Sequence, residues 1–408
     1  MNYKRICSDT RIKWSLVDQF FVSGGNFLSV AICAHYLPIS DQGKLGYILA
    51  WYLGTIIINN SAVFQHASVK APSIKNQYAY LCKLSWLQMV LALSSSILIV
   101  LIVTGLNFID SLFLSQQEIG LLLFFLLTQQ LADFSRRISY IFNGSVQAVK
   151  LSSVLYSARV IALLFIEPTN LSYVLVIFIA TSALSVITNI RLLYKGRHFL
   201  YEVKSFVKVH VAESIWFIRN GPFIWLWSSL PVLLLGVMID AAAIAVFFTI
   251  RSLSNLGNVA MELLETEFSA RIGRLLYSDQ SQAEKSVQML RLVGFVIWGI
   301  GMAIFMFFGK DLIKIIFGDS YANSADLLVM LWFSNGVVFL YRLNAVYLRT
   351  SGNSDAVMKG YVFGVGVMLI AGIPLISMYE VFGGAMLVTT GAATILVAQK
   401  TIANLKAK

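Results

Sequence analysis

The stretch IGLLLFFLLTQQLADFSRRISYIFNG, Ile119–Gly144, opens as a nearly unbroken apolar run and closes with an acid and two adjacent arginines. Its length decides how it is read. A helix needs about 20 apolar residues to cross ~30 Å of hydrocarbon. It also satisfies its own backbone hydrogen bonds, which lipid cannot do. The stretch therefore predicts a membrane-spanning helix over 118–141, with Asp133, Arg136 and Arg137 inside the span near one end. Charges in that position cost ~2.5 kcal/mol or more each on insertion scales, so they call for a reason.

The rest of the chain repeats the apolar pattern. Of 408 residues, 58% are hydrophobic and 12% charged, and the mean hydropathy is +0.76. Soluble domains carry about twice that share of charge. Apolar runs fall at 14–36, 44–65, 79–103, 118–141, 150–166, 171–190, 211–238, 241–264, 287–308, 326–348, 357–378 and 382–400, which predicts twelve spans. A tight turn at Glu167–Pro168 must separate the fifth from the sixth. Barrel strands would show shorter segments of alternating polarity, so the expected class is an all-α integral membrane protein. The opening MNYKRICSDTRIK leads into a full-length span containing Asp18 and lacks a small-residue cleavage site, so it reads as a retained first helix. Cys7, Cys33 and Cys82 are scattered without disulfide or metal spacing, and neither a metal nor a cofactor is expected.

Basic residues in short loops mark the cytoplasmic side. With both termini inside, Lys4, Arg5, Lys70, Lys75, Lys150, Arg191, Arg197, Arg271, Arg274, Arg349 and Lys408 all fall on the inner face. The outer segments hold three basic residues, Lys44, Lys310 and Lys314, and carry Asp41, Asp110, Glu167, Asp240, Asp311, Asp319 and Glu380. A basic inner face against anionic lipid accounts for most of the net charge of +11, and no nucleic acid is needed to explain it.

The chain also resembles itself at half its length. Span four ends SRRISYIFNGSVQAVK and span ten ends LYRLNAVYLRTSGNSDAVMK; an offset of 206 places Arg136 on Arg342. Six spans per half make the repeat parallel, related by an axis along the membrane normal. The expected organisation is a six-helix bundle over 1–200 and another over 201–408, around a central cavity.

Charges within or near the spans are Asp18, Asp133, Arg136, Arg137, Arg159, Arg219, Arg251, Glu262 and Arg342. At ~1.5 Å per residue, Arg159 and Arg251 reach mid-membrane, while Asp18 and Glu262 lie near enough to inner ends to be interfacial. Arginine dominates this set, and its planar fork of donors matches phosphate or carboxylate oxygens. The six arginines are thus candidate ligands of an anionic head group. A blander reading stands beside that one: Arg136 and Arg137 follow Asp133 at helix-pair spacing, and inner arginines can snorkel to the lipid surface. Small and polar residues cluster at Ser23–Asn26, Asn59–Ser61 and Asn220–Pro222, so Asn26, Asn60 and Asn220 join Asp18 and Asp133 as cavity or coupling candidates, although helix packing also favours small residues.

The opening WSLVDQFFVSGGNFLSVAICAHYLPISDQGKLGY, through Asp18-Gln19, Ser23-Gly24, Asn26-Phe27 and the turn from Leu37-Pro38 to Gly46-Tyr47, resembles the Wzx-type polysaccharide flippases of the multidrug/oligosaccharidyl-lipid/polysaccharide exporter superfamily. That resemblance implies movement of an undecaprenyl-pyrophosphate-linked oligosaccharide, such as an O-antigen unit, across the bacterial inner membrane. It further implies a multi-pass monomer working beside a polysaccharide polymerase and chain-length machinery.

Two other functions compete. A drug/cation antiporter of the same superfamily would keep buried carboxylates for its cargo, and Asp18, Asp133 and Glu262 keep that reading open. A membrane glycosyltransferase, polymerase or ligase would need a substantial outer loop. The longest expected, around 309–325, is short and lacks histidine, and His35, His66, His198 and His210 are expected at span ends or in loops.

Overall fold

The computed structural model describes residues 3–71, 74–109, 114–142, 144–195, 200–258, 280–351 and 353–407. Asp110, Arg197, His198, Glu262, Arg271, Arg274 and Lys408, used in the charge argument, lie outside the described residues. Within them the chain is helical throughout and contains no strand.

The helices run α1 (Tyr3–Tyr36), α2 (Ile39–Asn59), a π-helical segment (Asn60–Phe64) leading into α3 (Gln65–Lys70), α4 (Gln77–Ile109), α5 (Gln116–Phe142), α6 (Ser145–Ile166), α7 (Leu171–Lys195) and α8 (Leu200–Met238). They continue with α9 (241–258), α10 (Gln280–Phe317), a 3-10 segment (Asp319–Ser324), α11 (Ala325–Thr350) and α12 (Ser354–Ala407). Nine helices among the described residues are long and apolar enough to cross a membrane. One of them, Ser354–Leu405, is more than twice the length that ~30 Å of hydrocarbon requires. It breaks helical geometry at Glu380 (φ 50°), between the eleventh and twelfth runs read from sequence. The protein is an all-α, multi-pass membrane protein.

Several helix starts follow from residues that satisfy the free N–H groups of a first turn. Ser115 and Glu118 form a capping box at α5: the Ser115 N–H donates to Glu118 Oε2 at 2.6 Å, and the Glu118 N–H donates to Ser115 Oγ at 3.3 Å. Asn76 Oδ1 accepts from the Ala79 N–H before α4, and Asp240 Oδ1 accepts from the Ala243 N–H before α9. The expected turn at Glu167 is present: Glu167 ends α6 in the left-handed region at φ 47°, and α7 begins at Leu171.

One expectation is corrected: the outer loop expected at 309–325 is α10 continuing to Phe317 and then the 3-10 segment. His66 and His210 lie near the ends of the spans Ile39–Ser68 and Lys204–Met238, in helix that runs on because α3 extends to Lys70 and α8 starts at Leu200.

The chain divides into two compact units, 1–225 and 226–408, and the boundary falls inside α8. In the first, α1 lies along α6, and α5 packs against α4, α6 and α7. A buried cluster of Phe64, Tyr80, Leu84, Phe134 and Ile138 fills one end. In the second, α11 packs on both α10 and α12. There the Trp298 and Trp332 indoles exchange bonds, Nε1 of each donating to the other's carbonyl at 3.1 and 2.8 Å.

Candidate functional site

The polar centre of the first unit is α5, the helix of the opening stretch. Asp133 lies one turn before two arginines, so i,i+3 and i,i+4 geometry brings both to its carboxylate. Arg136 Nη2 donates to Asp133 Oδ1 at 3.0 Å, and Arg137 Nε donates to Oδ2 at 2.6 Å. Arg136 also reaches α1, where Nη1 donates to Asp18 Oδ2 at 2.8 Å. Ser152 of α6 donates to the other oxygen of Asp18. Asp18 is 1% exposed: it is a carboxylate enclosed by neighbouring helices and paired with one distant in sequence. Two carboxylates and two guanidinium groups balance, so this cluster carries no net charge.

One turn earlier, the adjacent glutamines of α5 point to different neighbours. Gln130 Oε1 accepts from Asn59 of α2 at 2.6 Å and from Ser95 of α4 at 3.0 Å, while its Nε2 donates to Ser96 at 2.9 Å. Gln129 Nε2 donates to Ser182 Oγ at 2.7 Å and to the Phe178 carbonyl on α7. Its Oε1 accepts from Arg159 Nη2 at 2.9 Å. Through these side chains α5 binds α1, α2, α4, α6 and α7 together.

Arg159 is therefore enclosed, at 3% exposed, and makes no ion pair with a carboxylate among the described residues. Its guanidinium lies 4.2 Å from the Phe178 ring centre and 5.2 Å from that of Tyr156, and Nε has no hydrogen-bond partner. The ring faces supply part of the missing negative partner. A small pocket lies beside this assembly, lined by Tyr52, Gln129, Asp133, Arg136, Ser152 and Tyr156.

The second unit holds Arg251 and Arg342. Arg251 Nη1 donates to the Ser228 carbonyl at 2.7 Å, its guanidinium lies 5.7 Å from the Phe247 ring centre, and it pairs with no carboxylate among the described residues. Arg342 is half-buried on α11. The spacing of 206 that relates Arg136 to Arg342 also relates Gln129 to Asn335, a half-buried amide donor: Asn335 Nδ2 reaches both the carbonyl (2.9 Å) and the hydroxyl (2.6 Å) of Ser254.

The remaining candidates are dispersed. Arg219 and Asn26 are exposed. Asn60 and Asn220 are half-buried, each with an amide oxygen lacking a partner. They sit beside the close contact at which Ser61 Oγ comes within 3.2 Å of where a Cβ on Gly221 would lie. Sequence reasoning missed Gln129, Gln130, Ser152 and Ser182, the residues that assemble the network. The available signal was two consecutive glutamines in a lipid-spanning run, since an uncompensated buried amide is costly.

No protein-family model matches the sequence, and no curated protein matches it. Solved structures do match across nearly the whole chain. The lipid II flippase MurJ in an inward closed conformation aligns with a TM-score of 0.74 at 11% identity, covering 96% of this chain and 87% of that one. An inward-facing multidrug resistance MATE family transporter of the MOP superfamily gives 0.65 at 12% identity, covering 97% and 95%. The Vibrio cholerae MATE transporter VcmN gives 0.63 at 13% identity, covering 98% and 95%. The chain therefore has the fold shared by the MATE and MurJ transporters.

Proposed function

We propose that the protein is a transporter of the MOP superfamily that flips a polyprenyl-pyrophosphate-linked oligosaccharide across the bacterial inner membrane by alternating access. Twelve crossings in two parallel halves, 1–200 and 201–408, with both termini cytoplasmic, complete the reading. The charge balance carries it. Asp18 and Asp133 are each bonded to arginine, so neither carboxylate is left open for a cationic cargo. Arg159 and Arg251, by contrast, have no acidic partner among the described residues. A fixed, unneutralised positive charge in an apolar interior favours a pyrophosphate-bearing cargo and disfavours a cationic one. In this reading Arg251 and Arg342 of the second unit contact the head group, while in the first unit Asp133 and Asp18 hold Arg136 and Arg137 at the site of capture. Arg159 contributes its field from an enclosed position.

The second reading, a multidrug antiporter, is favoured by the MATE structures among the matches and by the presence of Asp18 on the first helix. Deleting the gene in its host separates the two. Loss of surface polysaccharide with lipid-linked oligosaccharide accumulating at the inner leaflet, relieved by wild type and by Arg251→Lys but not Arg251→Ala, supports the flippase. Intact polysaccharide with new sensitivity to cationic drugs makes the antiporter the answer.

A further inference from the structure

Within the first unit, α8 lies along the continuous path of α2, the π-helical segment and α3, and the contacts between them change character at one level. Here Asn60–Phe64 takes its π turn opposite Gly221–Pro222. Both features interrupt regular i→i−4 bonding, one by widening the turn and the other by removing an N–H. Toward Trp225 the contact is an aromatic anchor: the indole Nε1 donates to the Ala50 carbonyl at 2.9 Å, and its ring centre lies 5.2 Å from that of Trp51.

Toward Leu200 the contact is polar and ionisable. His66 Nε2 lies 2.9 Å from Glu213 Oε2, and Lys70 Nζ bonds the same oxygen. His210 Nε2 donates to the Ala62 carbonyl, inside the π segment, at 3.0 Å, and the His66 and His210 rings meet edge to face at 4.6 Å. Arg137 of α5 approaches from behind, 5.9 Å from the Phe64 ring centre, and Tyr80 of α4 packs on Phe206 of α8. The apolar side chains of this part of α8, Phe206, Val207 and Ile218, are only partly buried.

We propose that residues 200–221 of α8 form an arm that hinges at Gly221–Pro222, opposite the π turn, and is latched by Glu213 to Lys70 and His66. The two ends differ in the way a hinged arm requires. The Trp225 end is fixed by ring packing and a buried acceptor. The free end is held by the His210–Ala62 bond, the Tyr80–Phe206 ring contact and an ion pair whose partners are 40% and 32% exposed, so that water can replace the ion pair when the end opens. This assignment rests on the helix contacts and is independent of the cargo.

The test is a pair of spin labels at Lys150→Cys and Val209→Cys, both exposed positions outside the latch, in the full chain in lipid nanodiscs with Cys7, Cys33 and Cys82 replaced by alanine. Pulsed electron resonance should give one distance population for this background. Glu213→Gln should add a second, longer population, and the charge reversal Lys70→Glu with Glu213→Lys should remove it. A control pair at Lys150→Cys and Leu53→Cys should stay unchanged throughout. An unaltered distribution in Glu213→Gln, a monodisperse charge-reversed protein that still shows the longer population, or movement of the control pair would each overturn the latch.

Discussion

Arg136 Nη1 donates to Asp18 Oδ2 at 2.8 Å, joining α5 to α1 across 118 positions of sequence. Both side chains are largely withdrawn from solvent, with Arg136 at 14% and Asp18 at 2% side-chain exposure. Their bond turns what reads as an isolated membrane charge on each helix into one neutral assembly with Asp133 and Arg137.

Removing one partner leaves a buried charge unpaired, a loss of about 3–5 kcal/mol in such settings. Asp18→Ala and Arg136→Ala should each lower the melting temperature of the purified protein clearly. The double variant should lose less than the two single losses together, since the orphaned charge is gone. Additive losses in a thermal double-mutant cycle would show that the pair is not coupled.

Gln129 tests what the charge of Arg159 is for. Gln129→Glu supplies a carboxylate at the atom that now accepts at 2.9 Å, so thermal stability should hold or rise. Transport should nevertheless fall, because the interior charge would be neutralised. Gln129→Leu should destabilise by about 1–3 kcal/mol through the lost acceptor and the donors left unpaired on Arg159. Vesicle-based flipping measured beside melting temperature separates the two effects.

Two glycines on α12 should respond oppositely to alanine. A Cβ on Gly383 would sit 2.2 Å from the Leu375 carbonyl oxygen, a backbone atom that no rotamer change can move, whereas one on Gly366 meets nothing within 4 Å. Gly383→Ala should cost at least about 1–3 kcal/mol, the range for overpacking. Gly366→Ala should leave the melting temperature within a degree or two of wild type.

The reciprocal indole bonds between α10 and α11 predict a smaller effect. Trp298→Phe keeps the ring packing but removes the donor that reaches the Trp332 carbonyl at 3.1 Å, a loss of about 1 kcal/mol. Trp298→Ala should cost several times more, because it also opens a cavity against the second unit's own core. Comparable losses for the two substitutions in a denaturation series would assign the stability to the bond and not to the ring.

The sequence by itself determined the class of the molecule and most of its helices. Apolar runs of membrane-spanning length are local, and lipid permits few backbone solutions to them. It also determined the Asp133–Arg137 pair, because i,i+4 spacing is a property of one helix, and the turn at Glu167, where the chain must reverse over a few residues. Only the tertiary structure decided the rest. Asp18 reads as interfacial by depth, and nothing local shows that Arg136 will meet it. Arg159 reads as a mid-membrane arginine, and nothing local shows that α7 will bring Ser182 and Phe178 against it. How far the helices around His66 and His210 continue was not legible, because hydropathy marks where a helix enters lipid, not where it ends, and α8 begins eleven residues before its apolar run. Pairing between helices depends on which faces meet, and that is fixed by packing summed over the unit, to which each side chain adds only a fraction.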